Sequence, residues 1–198
     1  MTVQIDKLSH QKDGRRRRSE RNKQSIVAAI TTLIRRGSLE PSAMDVAQEA
    51  GVGVRTVFRL FEDMDALYGE MARQIQAEVM PIIDAPFEND DWRARCFEAC
   101  ERRAEIYEAI MMVRLSANAR RSRSAYLRAD YAMFLGRELD RLTEILPSHL
   151  RENSAFVYAL DAAISFDTWC RLRRGRDLSV AKSKEVVRLT VEKLIAGL

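Results

Sequence analysis

Arg55, Thr56 and Arg59 fall within little more than one helical turn of each other, in the stretch SAMDVAQEAGVGVRTVFRLFEDMDAL at residues 42–67. A guanidinium can place paired hydrogen bonds on a base edge or a phosphate, and a threonine hydroxyl can add a third donor. This set suits recognition of a nucleic acid rather than bond breaking. A run of four arginines, Arg15, Arg16, Arg17 and Arg18, lies upstream. Charge runs are often just a solvated tail, but this one directly precedes the first helix, where it can meet phosphates or the minor groove. Other constellations carry less chemistry. Cys96 and Cys100 stand four apart on one helical face, a spacing that suits two zinc ligands. A structural site needs two more, and the histidines are His10 and His149 alone, so two buried apolar cysteines are the simpler expectation and no metal or cofactor is expected. There is no convincing Ser-His-acid set and no phosphate-binding glycine loop, so no enzymatic activity is expected either.

The arginines must be held by short helices. Pro41 disfavours helix at Glu40, and Ser42 can cap the next helix with Asp45 at the capping-box position. Val46, Ala47 and Ala50 form an apolar face, and Gly51 supplies the turn to a third helix over about Val54–Phe61. There Val57 and Phe61 share one side, leaving Arg55, Thr56 and Arg59 more free. Two amphipathic helices joined at a glycine have the form of a helix-turn-helix, in which the second helix lies in the DNA major groove. The first helix is predicted over about Ser19–Arg36, with Ile26, Ala29, Ile30, Leu33 and Ile34 facing inward and Gly37 as its stop. A fourth starts near Asp63, carries Leu67, Met71, Ile75 and Val79, and is expected to end at Pro81 and Pro86.

A second helical block follows. Asp91–Ile110 puts Trp92, Cys96, Cys100, Ala104 and Tyr107 on one stripe, and Met111–Arg121 is either a short helix or a continuation. Ser124–Leu146 carries Tyr131, Leu135, Leu139 and Leu142. Glu152–Gly175 is unusually apolar through FVYALDAAISFDTW, and Ser179–Ala196 closes the chain with Val187, Val191, Leu194 and Ile195. The expected organisation is a flexible basic arm at 1–18, a DNA-binding domain at 19–66 and a C-terminal body at 67–198, in an all-α fold.

Charge supports the same division. Among 198 residues with a net charge of +4, residues 1–36 contribute ten Lys/Arg against three acids, so the remainder is slightly acidic. A basic end on such a body suggests local phosphate contact. No apolar run approaches the roughly 18 residues of a membrane span, and residues 1–14 lack the apolar core of a secretion signal. Three cysteines, an odd number without a close CxxC, fit a reduced cytoplasmic protein with no membrane partner.

The motif resembles that of the TetR family of bacterial repressors, T-x-x-x-I-A-x-x-A-G-V-S-x-x-T-x-Y-x-x-F-x-x-K-x-x-L. The chain offers Ser42, Val46, Ala47, Ala50, Gly51, Val52, Gly53, Thr56, Phe58, Phe61, Met64 and Leu67 at those places. The resemblance covers about residues 20–70; beyond them only the number and length of helices agree. It implies DNA contacts from Arg15, Arg16, Arg17, Arg18, Ser42, Val54, Arg55, Thr56, Phe58 and Arg59. It further implies a ligand-responsive regulator, most often a repressor released from a palindromic double-stranded operator by a small molecule. Some of Trp92, Tyr107, Met111, Arg114, Tyr131, Phe134, Phe166 and Trp169 would line the ligand cavity, although each alone also reads as ordinary core or, for Arg114, a surface ion pair. The apolar run Phe156–Trp169 is more than one monomer surface should expose, and suggests a homodimer formed by the last two long helices.

Three departures bear on DNA binding. Phe58 lacks the hydroxyl of the usual Tyr, Met64 lacks the charge of the usual Lys, and Gly53 replaces a frequent Ser. Glu62, Asp63 and Asp65 add acids near the fourth helix, where they would repel phosphate. These changes keep open a second reading, a TetR-like interaction protein without specific DNA binding.

Overall fold

The computed structural model describes the backbone of residues 3–198 and the side chains of residues 16–198. Among the described residues there are helices and no strands. In chain order they are α1 (Val3–Arg35), α2 (Ala43–Glu49), α3 (Val54–Leu60), α4 (Met64–Asp84), α5 (Trp92–Arg120), α6 (Ala125–Ile145), α7 (Ser148–Arg151), α8 (Ser154–Ala163), α9 (Phe166–Cys170) and α10 (Val180–Ile195). They group into two compact units: unit one is Met1–Gln76 with Met112–Leu127, and unit two is Ala77–Met111 with Arg128–Leu198. Unit one thus extends past residue 66 and takes in part of the body expected at 67–198.

Helix α1 begins at Val3, not near Ser19, so the stretch read as an arm is helical. That stretch has no proline and is rich in Lys, Gln and Arg, which favour helix even without an apolar face. The helix stops where expected. Gly37 takes φ +106°, its amide bonds the Ile34 carbonyl at 2.9 Å, and the Ser38 amide bonds Leu33 at 3.0 Å. These paired bonds satisfy carbonyls that the helix end would otherwise leave orphaned. Ile26, Val27, Ile30 and Ile34 are fully buried, and α1 packs against α2 and α3.

Unit one is closed by polar pairs beneath the same core. The Tyr68 hydroxyl lies 3.1 Å from Ser116 Oγ, which donates to the Leu39 carbonyl. Ser124 Oγ donates to Asp65 at 2.6 Å and caps the start of α6 by accepting from the Leu127 amide. Gly69 is buried with the Tyr126 ring close against it: a Cβ there would stand only 3.1 Å from the ring.

Two expectations about helix ends are corrected. Pro81 lies inside α4 rather than ending it. In the last turn its missing amide forfeits only one intrahelical bond. The apolar stretch at Glu152–Gly175 is not one helix: it breaks after Ala163, and Ser165 caps α9 by accepting from the Thr168 amide at 3.2 Å. Met111–Arg121, left open between two readings, continues α5 to Arg120.

Within unit two, α10 packs against α8. Val187, Val191 and Ile195 are buried in this core. Two of these, Val187 and Val191, were expected at a dimer interface. Period-3.6 patterning marks an apolar face but not which partner it meets. The apolar side chains left outside are others: on α8, Ala155, Tyr158, Ala159 and Ala162 form an exposed stripe, and on α10 Leu189 is exposed. Leu135, placed on the α6 stripe with Leu142, is also exposed, while Leu142 is buried.

Candidate nucleic-acid interface

The helix-turn-helix is assembled by local chemistry. Asp45 accepts from the Ser42 amide at 2.8 Å while Ser42 Oγ accepts from the Asp45 amide at 3.2 Å, which closes the capping box. The Ser42 hydroxyl also bonds the Asp45 carboxylate at 2.6 Å. Hydrogen bonds from the Ser42 side chain, then from its backbone, hold the Asp45 carboxyl below its ordinary value against a weak opposing effect of burial. Helix α2 ends on Gly51, at φ +65°. The Gly51 amide bonds Gln48 at 3.2 Å and the Val52 amide bonds Ala47 at 3.0 Å. This closure sets the direction of the chain into α3.

Helix α3 has two sides. Val57 and Phe61 are buried against the core of unit one. Val54, Arg55, Phe58 and Arg59 are exposed on the other side, and Thr56 is half-buried. Neither Arg55 nor Arg59 has a hydrogen-bond or ion-pair partner among the described residues. Arg16, Arg17 and Arg18 are exposed on α1, whereas the side chain of Arg15 lies outside the described residues. Ser42 is exposed, but its hydroxyl is committed to Asp45, so it is not a free phosphate donor.

The acids near α4 are mostly turned to structural use. Asp63 caps the helix by accepting from the Ala66 amide at 2.8 Å, and Asp65 accepts from Ser124 and pairs with Arg120 at 4.0 Å. Glu62 stays exposed. Of the three acids only Asp65 is offset by a cation among the described residues, Arg120, so the expected repulsion remains with exposed Glu62 and Asp63. Helix α1 is followed by a further pair, Arg36 with Glu49 on α2, at 3.2 Å.

A second constellation lies wholly in unit two. Tyr107 meets Phe166 edge-to-face at 5.4 Å between centroids, and Phe134 meets the same Phe166 at 6.2 Å. Arg103, one turn before Tyr107, is half-buried, with its guanidinium 3.5 Å from Asp161 Oδ1 and 3.3 Å from the Ile164 carbonyl. It also donates to the Glu138 carbonyl. The Tyr107 hydroxyl donates to the Glu138 carboxylate and lies 3.1 Å from the same Ile164 carbonyl. The break between α8 and α9 explains this focus, since the Thr168 amide is spent on Ser165. Arg103 and Tyr107 take up the carbonyl it leaves. Burial opposes the Arg103 charge, but Tyr107, Glu138 and Asp161 outweigh it and hold the guanidinium protonated. Burial, with Glu138 adding to it, raises the Tyr107 phenol well above its usual range.

The other expected ligand residues are scattered about this centre. Met111 and Trp169 are buried, and Trp169 Nε1 donates to Glu108 at 2.8 Å, beside an Arg173–Glu108 ion pair of 2.7 Å. Tyr131 donates to Asp167 at 3.4 Å, and Trp92 is half-buried with the Arg93 guanidinium 4.4 Å above its ring. Arg114, expected among the residues lining a ligand cavity, belongs to unit one. The cation at the centre of this cluster in unit two is Arg103, which sequence reasoning missed together with Glu138 and Asp161. A signal was present: Arg103 lies four residues before Tyr107 and seven after Cys96, on the stripe already marked as apolar.

Cys96 and Cys100 are buried and share that stripe. Burial, then the Asp91 charge, pushes Cys96 up to about 11, and burial, then Cys96, pushes Cys100 up to about 12. Thiols so placed are poor ligands and poor nucleophiles. Among the described residues no group of three or more His, Cys, Asp or Glu could hold a metal ion, and no helix is long and apolar enough to cross a membrane.

Among known proteins, no family model matches the chain, and no curated protein matches it significantly. Solved structures do match. One is a transcriptional regulator from Rhodococcus sp. RHA1, with a TM-score of 0.64 and 15% identity, over 90% of this chain and 96% of that one. A second, a TetR-like transcriptional regulator from the same source, matches with a TM-score of 0.59 and 15% identity, over 91% and 97%. A third, a candidate TetR-family regulator from Mesorhizobium loti, matches with a TM-score of 0.54 and 18% identity, over 90% and 97%. The chain has the all-helical fold of these regulators along nearly its whole length.

Proposed function

We propose that this protein is a DNA-binding transcriptional regulator whose third helix reads the major groove. The observation that carries the reading is the two-sided α3: Val57 and Phe61 lock it to the core while unpaired Arg55 and Arg59 face outward. Phosphate contacts from Arg15–Arg18 set the position on the duplex, and Arg55, Thr56 and Arg59 select bases. Ser42 is left out of this set because Asp45 holds its hydroxyl. Selection of bound duplexes from a random pool at moderate salt tests the reading. A palindromic consensus is expected; no enrichment over the starting pool would leave an interaction protein without specific DNA binding as the better account.

The operator is palindromic in this reading because the protein acts as a homodimer. The exposed α8 stripe of Ala155, Tyr158, Ala159 and Ala162 supports that pairing, since small residues let two helices approach closely around one aromatic. Tyr158 is 61% exposed in the single chain, an unusual place for a ring. An acid placed at its centre, Ala159→Glu, would bury an unpaired charge. The expected result is dissociation to monomers at micromolar concentration by light scattering, with helix content unchanged. A variant as dimeric as the parent, or a parent already monomeric, removes this part of the reading.

A small-molecule effector completes it. The aromatic ring set of Tyr107, Phe134 and Phe166, with polar groups on Arg103, Glu138 and Asp161, has the composition of a ligand site: apolar walls and a few polar anchors. An effector that binds one conformation of the dimer better than the other shifts the spacing of the two recognition helices, and operator affinity falls by the same coupling.

A further inference from the structure

We propose that α3 reads thymine through the C5-methyl group, using Val54 and Phe58. The proposal rests on the DNA-binding reading above and names what the helix recognises. Val54 is 39% exposed and Phe58 49% exposed, four residues apart and so on one line of the helix. That line runs beside the one bearing Arg55 and Arg59, so apolar and cationic side chains alternate on the exposed face.

The occupant of such a face is a polyanion. Residues 16–65 carry nine Lys/Arg against seven Asp/Glu, but Glu49 pairs with Arg36 and Asp65 with Arg120, while Arg16, Arg17, Arg18, Arg55 and Arg59 are all exposed. A protein-binding face would instead carry few charges at its centre. On duplex DNA the choices for an exposed phenyl ring are few. Phe58 has no hydroxyl, so it cannot donate to a phosphate, and seating it there would desolvate the phosphate without a hydrogen bond. The base edges of the major groove offer one apolar group, the thymine methyl. Valine and phenylalanine bury that methyl well, and the flanking arginines have guanine or phosphate within reach. Phe58 thereby turns a position without a phosphate donor into one that reads sequence.

The test uses the full-length protein and the duplex recovered by selection. Each symmetric thymine pair is replaced by deoxyuridine, which removes the methyl and leaves every hydrogen-bonding group. Replacing one such pair should weaken binding about tenfold, near what two buried methyls contribute. Val54→Ala with Phe58→Ala should bind the thymine and uracil duplexes equally. Circular dichroism should show both folded alike, since neither side chain belongs to the core. Equal affinity of the parent for the thymine and uracil duplexes, or a half-site without thymine, overturns the proposal and leaves DNA binding standing. Failure to bind any duplex in the pool overturns both.

Discussion

Replacing Arg55 and Arg59 together by alanine is expected to lower operator affinity on the order of a hundredfold or more while leaving the unfolding curve unchanged. Each base-contacting arginine contributes roughly 1–3 kcal/mol at one base position. The two are neighbours, so their effects need not add in full. Both side chains are exposed and make no ion pair among the described residues, so the fold does not depend on them. The discrimination between bases should fall with the affinity. Neutralising Arg15–Arg18 should behave differently: binding weakens on all sequences alike, and the slope of log affinity against log salt flattens by about 0.9 for each phosphate the protein no longer neutralises. Titrations by fluorescence anisotropy across salt concentration separate the two effects. Should the Arg55/Arg59 double variant bind the operator like the parent, α3 is not the reader.

Replacing Arg103 by methionine is expected to cost about 1–3 kcal/mol of stability, the usual penalty for leaving partly buried acceptors without their donor. The substitution keeps much of the volume but leaves the Asp161 carboxylate with less compensation and removes a donor from the Ile164 and Glu138 carbonyls. For a chain of this length such a destabilisation lowers Tm by roughly 5 °C. Arg103→Lys should recover only part, because an ammonium cannot fork between a carboxylate and two carbonyls. Arg55→Ala, fully at the surface, is the control and should stay within about 0.5 kcal/mol of the parent. Urea unfolding followed by circular dichroism measures all three. If Arg103→Met unfolds at the parent's midpoint, the cluster does not hold α8 and α9 to α5 and α6.

What the sequence determined by itself was most of what neighbours in the chain close. Ser42 with Asp45, Gly37 and Gly51 each start or stop a helix through bonds spanning a few residues, so their meaning does not depend on the rest of the fold. The burial of Val46, Ala47, Val57 and Phe61, and with it the outward turn of Arg55 and Arg59, followed from helical spacing once those ends were set. The N-terminal start of α1 was misread for the opposite reason: residues 3–18 have helix propensity without an amphipathic face, and periodicity is silent there.

Tertiary structure decided which apolar faces meet and where polar groups enter the core. Val187 and Val191 were as apt for a partner chain as for their own unit, because burial is non-directional and a stripe carries no address. The Ser165 break was masked by the apolar run around it, although the cap that makes it is a local one. Arg103 stood on the inward stripe of α5, yet a lone arginine there reads as a surface residue until its partners are known. Those partners, Glu138, Asp161 and the carbonyl of Ile164, come from elements 35 to 61 residues away. A charge is tolerated in the interior only when such distant groups converge on it, and that convergence exists only in the folded chain.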